Sequence, residues 1–288
     1  MPPHSRHLIG TMGRWRCRVV VALAGFYFGA DFAAPAQTQP ACPLHPLGEG
    51  TVAQIIDGRS LRLADGREIR LAGIEVPLPA RPGENPEPAA SAARAELESL
   101  LAQRVVTLKA SASETDRYGR IAAYVFTAGS EVPLQHALLA RGHARAFGQN
   151  EPPACRRELL AREEPARNAG IGLWADPAYA IRRAEEPERI ATQRGHFAVI
   201  EGKVLSVRTS GATIYLNFGR RWIEGFAVTI RKRNERAFAA AGLAPGSLEG
   251  QLVRVRGFVE QRGGPRIEAA SPEQFEIVGG NQTWGQNK

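Results

Sequence analysis

From Thr51 the chain alternates apolar and polar side chains with the two-residue period of a strand. TVAQII, SLRLA and REIRLAGI follow one another, and Asp65-Gly66 between the last two is a hairpin signal. In REIRLAGI, Ile69, Leu71 and Gly73 share one face while Glu68, Arg70, Ala72 and Ile74 share the other, so Arg70 points away from the apolar side. A proline-rich loop, PLPARPGENPEPAA, interrupts the pattern. AASAARAELESLLAQ then has the helical period, with Ala93, Leu97, Leu100 and Leu101 on one stripe. Two further strands, RVVTLKA and RIAAYVFT, are joined by a turn-like SETDRYG. PLQHALLAR predicts a second helix stopped by Gly142. Residues 153–169 predict a third, which Pro165 is expected to kink or split, running into AGIGLWADP. Five strands with a helix after the third and helices at the end describe a small barrel.

The pattern then repeats in kind. Residues 178–195 are charged and read as a linker. Beyond them come FAVIEGKVLSVR, ATIYLNFG, GFAVTIR, a short helix NERAFAAAG, QLVRVRGFVEQ, a Gly-Gly-Pro turn at 263–265 and EQFEIV. In QLVRVRGFV the valines 253, 255 and 259 form a core face, and Arg254, Arg256 and Phe258 lie opposite. A helix between the third and fourth strands is the OB-type arrangement. The fold class expected is mainly β with helices, an α+β protein of two OB-type barrels at 49–177 and 196–278. Residues 37–48 read as a proline-rich linker and 279–288 as an unstructured tail.

Composition adds little until it is located along the chain. An apolar content of 43% is ordinary for globular cores. The formal charge of +8 belongs mostly to the leader and the second barrel: residues 49–177 carry 16 basic and 17 acidic groups, whereas 196–278 carry 12 and 8. Basicity alone therefore says little about polyanion binding by the first barrel. Arg14, Arg16 and Arg18, the apolar run Val19–Ala30 and Ala34-Pro35-Ala36 read as an export signal over 1–36, with cleavage placing the protein in the periplasm or outside the cell. Cleavage leaves no transmembrane segment; an uncleaved membrane anchor is the alternative. It also leaves two cysteines, Cys42 and Cys155, either joined as one disulfide or free. Oligomeric state is not legible.

Asp57-Gly58 with a hydroxyl residue two places on, DGREIRLAGIEVP, TDRYGRIAAYVF, ALLARG and GLWADP occur in one order over about residues 50–177. As an ordered set they resemble the thermonuclease (staphylococcal-nuclease-like) family. The C-terminal unit is similar to OB-type modules that accompany such domains in exported bacterial proteins. The resemblance implies a nuclease in which carboxylates hold a calcium ion, two arginines clamp the phosphate, a glutamate activates water and aromatic rings stack on bases. Carried over by position, Arg70 and Arg120 match the phosphate-clamping arginines and Asp57 the first acid of the family's turn. Arg59 stands where the family has a metal-binding aspartate, with Ser60 in place of its threonine. Glu75 takes the place of the second metal aspartate, Val76 that of a threonine, and Leu78 that of the water-activating glutamate. His143, Phe147 and Gly148 occupy the stretch where an aromatic pair is expected.

A guanidinium ~5 Å from a divalent cation is repelled by about 6–7 kcal/mol at an effective dielectric near 20, comparable to a micromolar calcium-binding free energy. No cofactor is therefore expected, and calcium only if Asp57 and Glu75 still form a competent site. Three readings of Arg59 stay open. It replaces the cation in a site of three arginines and Glu75; it pairs with Asp57 or Glu75 on an inactive surface; or hydrolysis persists with Glu84 or Glu87 as base. The matching functions are binding of nucleic acid or another polyanion through Arg59, Arg70 and Arg120, an active endonuclease using Arg70, Arg120 and Glu75, and an envelope scaffold. Asp116 and Arg117 read as turn-forming, His143 as structural, and Arg231, Lys232, Arg233 and Arg236 as a solvated basic run able to contact phosphates.

Overall fold

A computed structural model describes residues 41–80, 87–101, 104–111, 115–116, 118–148, 151–221 and 224–279. The expected leader and residues 280–288 of the expected tail lie outside them. In chain order the first half runs β1 (His45–Asp57), β2 (Ser60–Leu63), β3 (Glu68–Leu71), β4 (Ile74–Glu75), α1 (Pro88–Leu101), β5 (Val105–Ala110), β6 (Ile121–Thr127), α2 (Leu134–Ala140), β7 (Arg145–Ala146) and α3 (Pro153–Ala169). Five strands close into a barrel in the order β1-β2-β3-β6-β5, with β4 and β7 paired as a separate ribbon.

Closure depends on the length of β1. Its first part, His45 to Thr51, pairs with β5, and its second, Val52 to Asp57, pairs with β2, so one strand serves both edges. The expected linker 37–48 is corrected at its end: residues 45–48 are strand, because β5 needs an outer partner for Leu108 to Ala110 and the proline-rich composition hides the pairing. Inside the barrel, Leu61, Ile69, Leu97, Leu101, Val106, Leu108 and Val125 are fully buried. Gln135 on α2, also fully buried, donates to the Ala123 carbonyl at 2.9 Å and accepts from the Val125 N–H at 3.3 Å, fastening that helix to β6. Of the kink or split expected at Pro165, the split is absent, since α3 is continuous. Pro165 and Ala161, whose carbonyl loses its donor, are both exposed, so water can take that bond. Gly142 and Gly172 bring two of the sequence motifs together: a Cβ on Gly142 would stand 2.1 Å from the Ile171 carbonyl oxygen, and the Leu173 N–H donates to the Gly142 carbonyl at 2.8 Å.

The second half runs β8 (Arg182–Arg183), α4 (Pro187–Ala191), β9 (Phe197–Lys203), β10 (Ser206–Ser210), β11 (Thr213–Asn217), β12 (Ala227–Arg231), α5 (Glu235–Ala240), β13 (Leu252–Arg262), β14 (Gly264–Ala269) and β15 (Phe275–Ile277). The sheet order is β10-β11-β12-β14-β13-β9-β8, with β15 on β13. The strands β9 and β10 are halves of one bent run. Between them Val204 donates to the Gln251 carbonyl and Leu205 to the Asn217 carbonyl, so the run leans on both of its neighbours. The circuit is that of the first barrel, with its long first strand broken in two.

Two expectations are corrected here. The segment 178–195 is no simple linker: β8 pairs in parallel with β9, and Ala184 and Ile190 are buried in the second core. The fifth strand of the second barrel is β14, which lies between β12 and β13, while the residues expected to fill that place form the short β15. Only six residues long and opened by Gly264-Pro265, β14 gives little periodic signal. On the face of β13 opposite its valines, Phe258 is 40% exposed, whereas the guanidinium-bearing part turns inward. Arg256 is 1% exposed, because that part packs against the first half of the chain. Residues Gln39–Lys288 form one compact unit.

Cys42 and Cys155 are joined, linking the segment before β1 to the first turn of α3 across 113 residues. Reduction is expected to lower stability by up to about 4–5 kcal/mol on chain-entropy grounds, read as a fall in the urea midpoint with dithiothreitol and reproduced by the Cys42→Ser, Cys155→Ser double variant. His136 on α2 is buried with Nδ1 unpartnered, and Glu158 stands 3.4 Å from Nε2. Burial, helped by Arg162, pushes its pKa down to about 4 from 6.5. The unfolded chain takes up this proton first, so the contribution is complete above pH 6.5 and is lost as pH falls toward 4. Between pH 7 and pH 5 the loss is expected to be about 2 kcal/mol, and denaturation curves of His136→Gln should lack it.

Candidate anion site

The site begins at the turn between β1 and β2. Asp57 Oδ1 accepts the Arg59 N–H at 2.9 Å, and the Arg59 carbonyl accepts the Leu71 N–H at 2.8 Å. Gly58 is buried against α1, where a Cβ would stand 2.7 Å from that of Ala93. Glycine thus lets the helix press on the turn, and the Arg59 side chain is directed inward. Across the ladder from Ser60, β3 supplies Arg70. Gly73, at φ +74°, then turns the chain into β4, where Glu75 pairs in register with Arg145 of β7.

These segments converge on one carboxylate. Glu75 is 2% exposed, and its Oε2 accepts a short hydrogen bond from Arg59 Nη1. Arg70 Nη2 lies 3.5 Å from the same oxygen. Burial raises the Glu75 carboxyl above the ordinary carboxylate range, and Arg59, then Arg70 and Arg145, pull against that rise. Arg70 is held below the usual guanidinium value by burial first and then by repulsion from Arg59, with Arg120 adding to it and Glu75 opposing. Arg120 comes from the turn before β6. Asp116 Oδ2 accepts its Nε at 2.8 Å, while Oδ1 accepts the N–H groups of Tyr118 and Arg120 at 2.9 and 3.0 Å. Asp116 is therefore both the turn former that the sequence suggests and the group that aims Arg120.

In the ion pairs formed here three guanidiniums, of Arg59, Arg70 and Arg120, share two carboxylates, of Glu75 and Asp116, leaving one positive charge in excess. Arg59 is occupied by Glu75. The side chains of Arg70 and Arg120 keep 31% and 22% of their surface open. The arrangement suits an anion whose oxygens accept from planar guanidinium groups.

The expected residues divide as follows. Arg59, Arg70 and Glu75 are in contact, and Arg120 is close enough to repel Arg70. Asp57 is engaged with the turn's own backbone. Of the alternative bases, Glu87 is hydrogen-bonded to Tyr179 and Glu84 lies outside the described residues, as does Arg117. His143 is elsewhere, 3.9 Å from Glu96 of α1. In the basic run, Arg231 pairs with Glu268 of β14 at 2.9 Å. Sequence reasoning missed Arg145, because a strand of two residues has no measurable period; the alternation of Arg145 with Phe147 around Ala146 was the available signal. Among the described residues no three His, Cys, Asp or Glu side chains are grouped to hold a metal ion.

Residues 68–176 match the family model described as Staphylococcal nuclease homologue. The matched range starts after the turn that carries Asp57 and Arg59. Among curated proteins none matches the chain.

Removing one partner of a buried ion pair leaves the other charge uncompensated. Arg59→Ala is therefore expected to destabilise the fold by about 3 kcal/mol. The double variant Arg59→Ala, Glu75→Gln should recover most of that loss in a chemical-denaturation cycle.

Proposed function

We propose, from the premise that residues 68–176 form a staphylococcal-nuclease-type domain, that this is an exported protein that binds the phosphate groups of nucleic acid at its arginine cluster, with calcium-dependent hydrolysis lost or altered. The observation that carries the proposal is the guanidinium of Arg59 lying on the buried carboxylate of Glu75, with Arg70 turned toward the same oxygen. A cation attracted to Glu75 would have to displace a charge-assisted hydrogen bond and sit beside two fixed positive groups.

Calcium does not fit the donors present. It takes six to eight oxygens. Here Glu75 is already shared by arginines, Asp57 Oδ1 is occupied by an N–H, and Val76 and Leu78 bring no side-chain oxygen. Leu78, 53% exposed, also has no group to activate a water molecule. A phosphodiester meets better partners. Its non-bridging oxygens can accept from the open N–H groups of Arg70 and Arg120, and the positive excess of the cluster supplies attraction independent of base identity. Export is part of the same proposal, supported by the disulfide, which persists in oxidising compartments, and by the leader pattern. No helix among the described residues is long and apolar enough to cross a membrane.

Anisotropy with labelled single-stranded DNA and RNA, run beside a cleavage assay in calcium or chelator, tests the proposal. Salt-sensitive binding without calcium-dependent cleavage is expected. Arg70→Ala and Arg120→Ala should each weaken binding about ten-fold across sequences and flatten the log–log salt slope by about 0.7. Cleavage that needs calcium and disappears in both variants would establish the endonuclease instead. A protein that neither binds nor cleaves returns the scaffold reading.

A further inference from the structure

The ribbon that carries Glu75 is gripped by the second barrel at three consecutive residues, the two of its partner strand and the one that follows. The Arg145 guanidinium lies over the ring of Phe197 of β9, 4.7 Å from its centroid, and 5.3 Å from that of Tyr179 in the connecting segment. Ala146 is held on both sides of its backbone: its N–H donates to Glu163 of α3 at 2.6 Å, and its carbonyl accepts from Arg256 of β13 at 2.8 Å. Arg256 also donates to both oxygens of Glu163, at 3.0 and 3.1 Å. The Phe147 ring meets Phe197 and Phe258 edge to face, with centroids 4.8 and 5.7 Å apart.

This grip matters because Arg145 is unusual within it. Arg145 is 4% exposed, makes no carboxylate contact within ion-pair distance among the described residues, and its Nε has no hydrogen-bond partner. Burial lowers its pKa to about 10, against the attraction of Glu163 and Glu75. Two aromatic rings lie against the guanidinium whose Nε lacks an acceptor. Its charge is still felt by Glu75 across the β4–β7 pair. The more of the Glu75 charge that Arg145 answers across the ribbon, the less of it is left to neutralise Arg59 and Arg70.

We propose that the second barrel is a working part of the anion site: Phe197 and Arg256 are positioning residues that fix β7, so that Arg145 stands opposite Glu75 across the β4–β7 pair as a buried countercharge. The inference rests on the phosphate-binding reading for its functional consequence, though its geometry can be measured separately. Arg145 acts through Glu75 and touches no phosphate. Its loss should therefore reduce affinity without changing the number of counterions released on binding, in contrast to the loss of Arg70.

The experiment uses the full chain in two arms. In the first, Arg145→Met, which keeps an unbranched side chain between the rings, and Phe197→Leu should each weaken single-stranded DNA binding about three- to ten-fold with the salt slope unchanged, and Phe197→Tyr should restore it. Unchanged affinity in both variants, or a slope that falls as it does for Arg70→Ala, overturns the assignment. The second arm follows the Arg145 Nε–H by NMR. Lying over a ring, it should be shifted upfield in the wild type and in Phe197→Tyr, and should move toward its ordinary position in Phe197→Leu. A resonance indifferent to Phe197→Leu overturns the positioning role. Should the wild type bind no DNA, the phosphate-binding reading fails on the first arm, and the second arm alone decides whether Phe197 positions Arg145.

Discussion

Placing a carboxylate out of reach of water costs several kcal/mol unless positive groups surround it, and the Glu75 carboxylate imposes that requirement on the first barrel. The groups that meet it come from distant parts of the chain: a turn between two strands, a neighbouring strand and a two-residue strand after α2. Each has to be held in place, which explains several features that look unrelated in the sequence. Gly58 lets α1 press on the turn of Arg59. Gly73 turns the chain so that Glu75 faces β7. The second barrel closes over β7 from the other side.

The same requirement recurs where the two barrels meet. Glu163 and Glu276 are buried with Arg256, Arg167 and Arg254 around them, and Arg156 of α3 reaches Glu273 at 2.8 Å. Buried ion pairs add little net stability relative to a packed apolar contact, but they tolerate misplacement poorly because each unpaired charge is expensive. A junction built from them fixes the relative placement of its parts more strictly than a greasy surface of the same area. The aromatic trio of Phe147, Phe197 and Phe258 supplies the apolar area beside it.

Having Arg59, where the family resemblance expects an acid, affects more than one oxygen. An aspartate at that position would add a negative charge beside Glu75 and require a cation from solution to balance both. A guanidinium brings the balance within the chain. The site is therefore assembled on folding and presents its remaining positive charge outward, through Arg70 and Arg120.

How far the sequence reaches can be judged from particular residues. Alternation marked β1 to β3, β5 and β6; the helical period marked α1 and α2; and the ordered motifs picked out Arg70 and Arg120, which the fold brings close to one another. These are local properties, because side-chain period and turn chemistry act over a few residues. Period also separated Arg70 from the apolar face of its strand. It could not say that Arg256, on an equally polar face, is buried, since that depends on a surface more than 90 residues away in the chain. Nor could it find Arg145, whose strand is too short to have a period, or β14, whose six residues become a strand only between β12 and β13. The sequence by itself determined the longer periodic strands and helices, and that Arg59 follows Asp57-Gly58 where the family resemblance expects an acid. Only the tertiary structure decided what that guanidinium touches and which distant arginines share its carboxylate, because charge pairing in a low-dielectric interior depends on proximity in space, which local pattern does not encode.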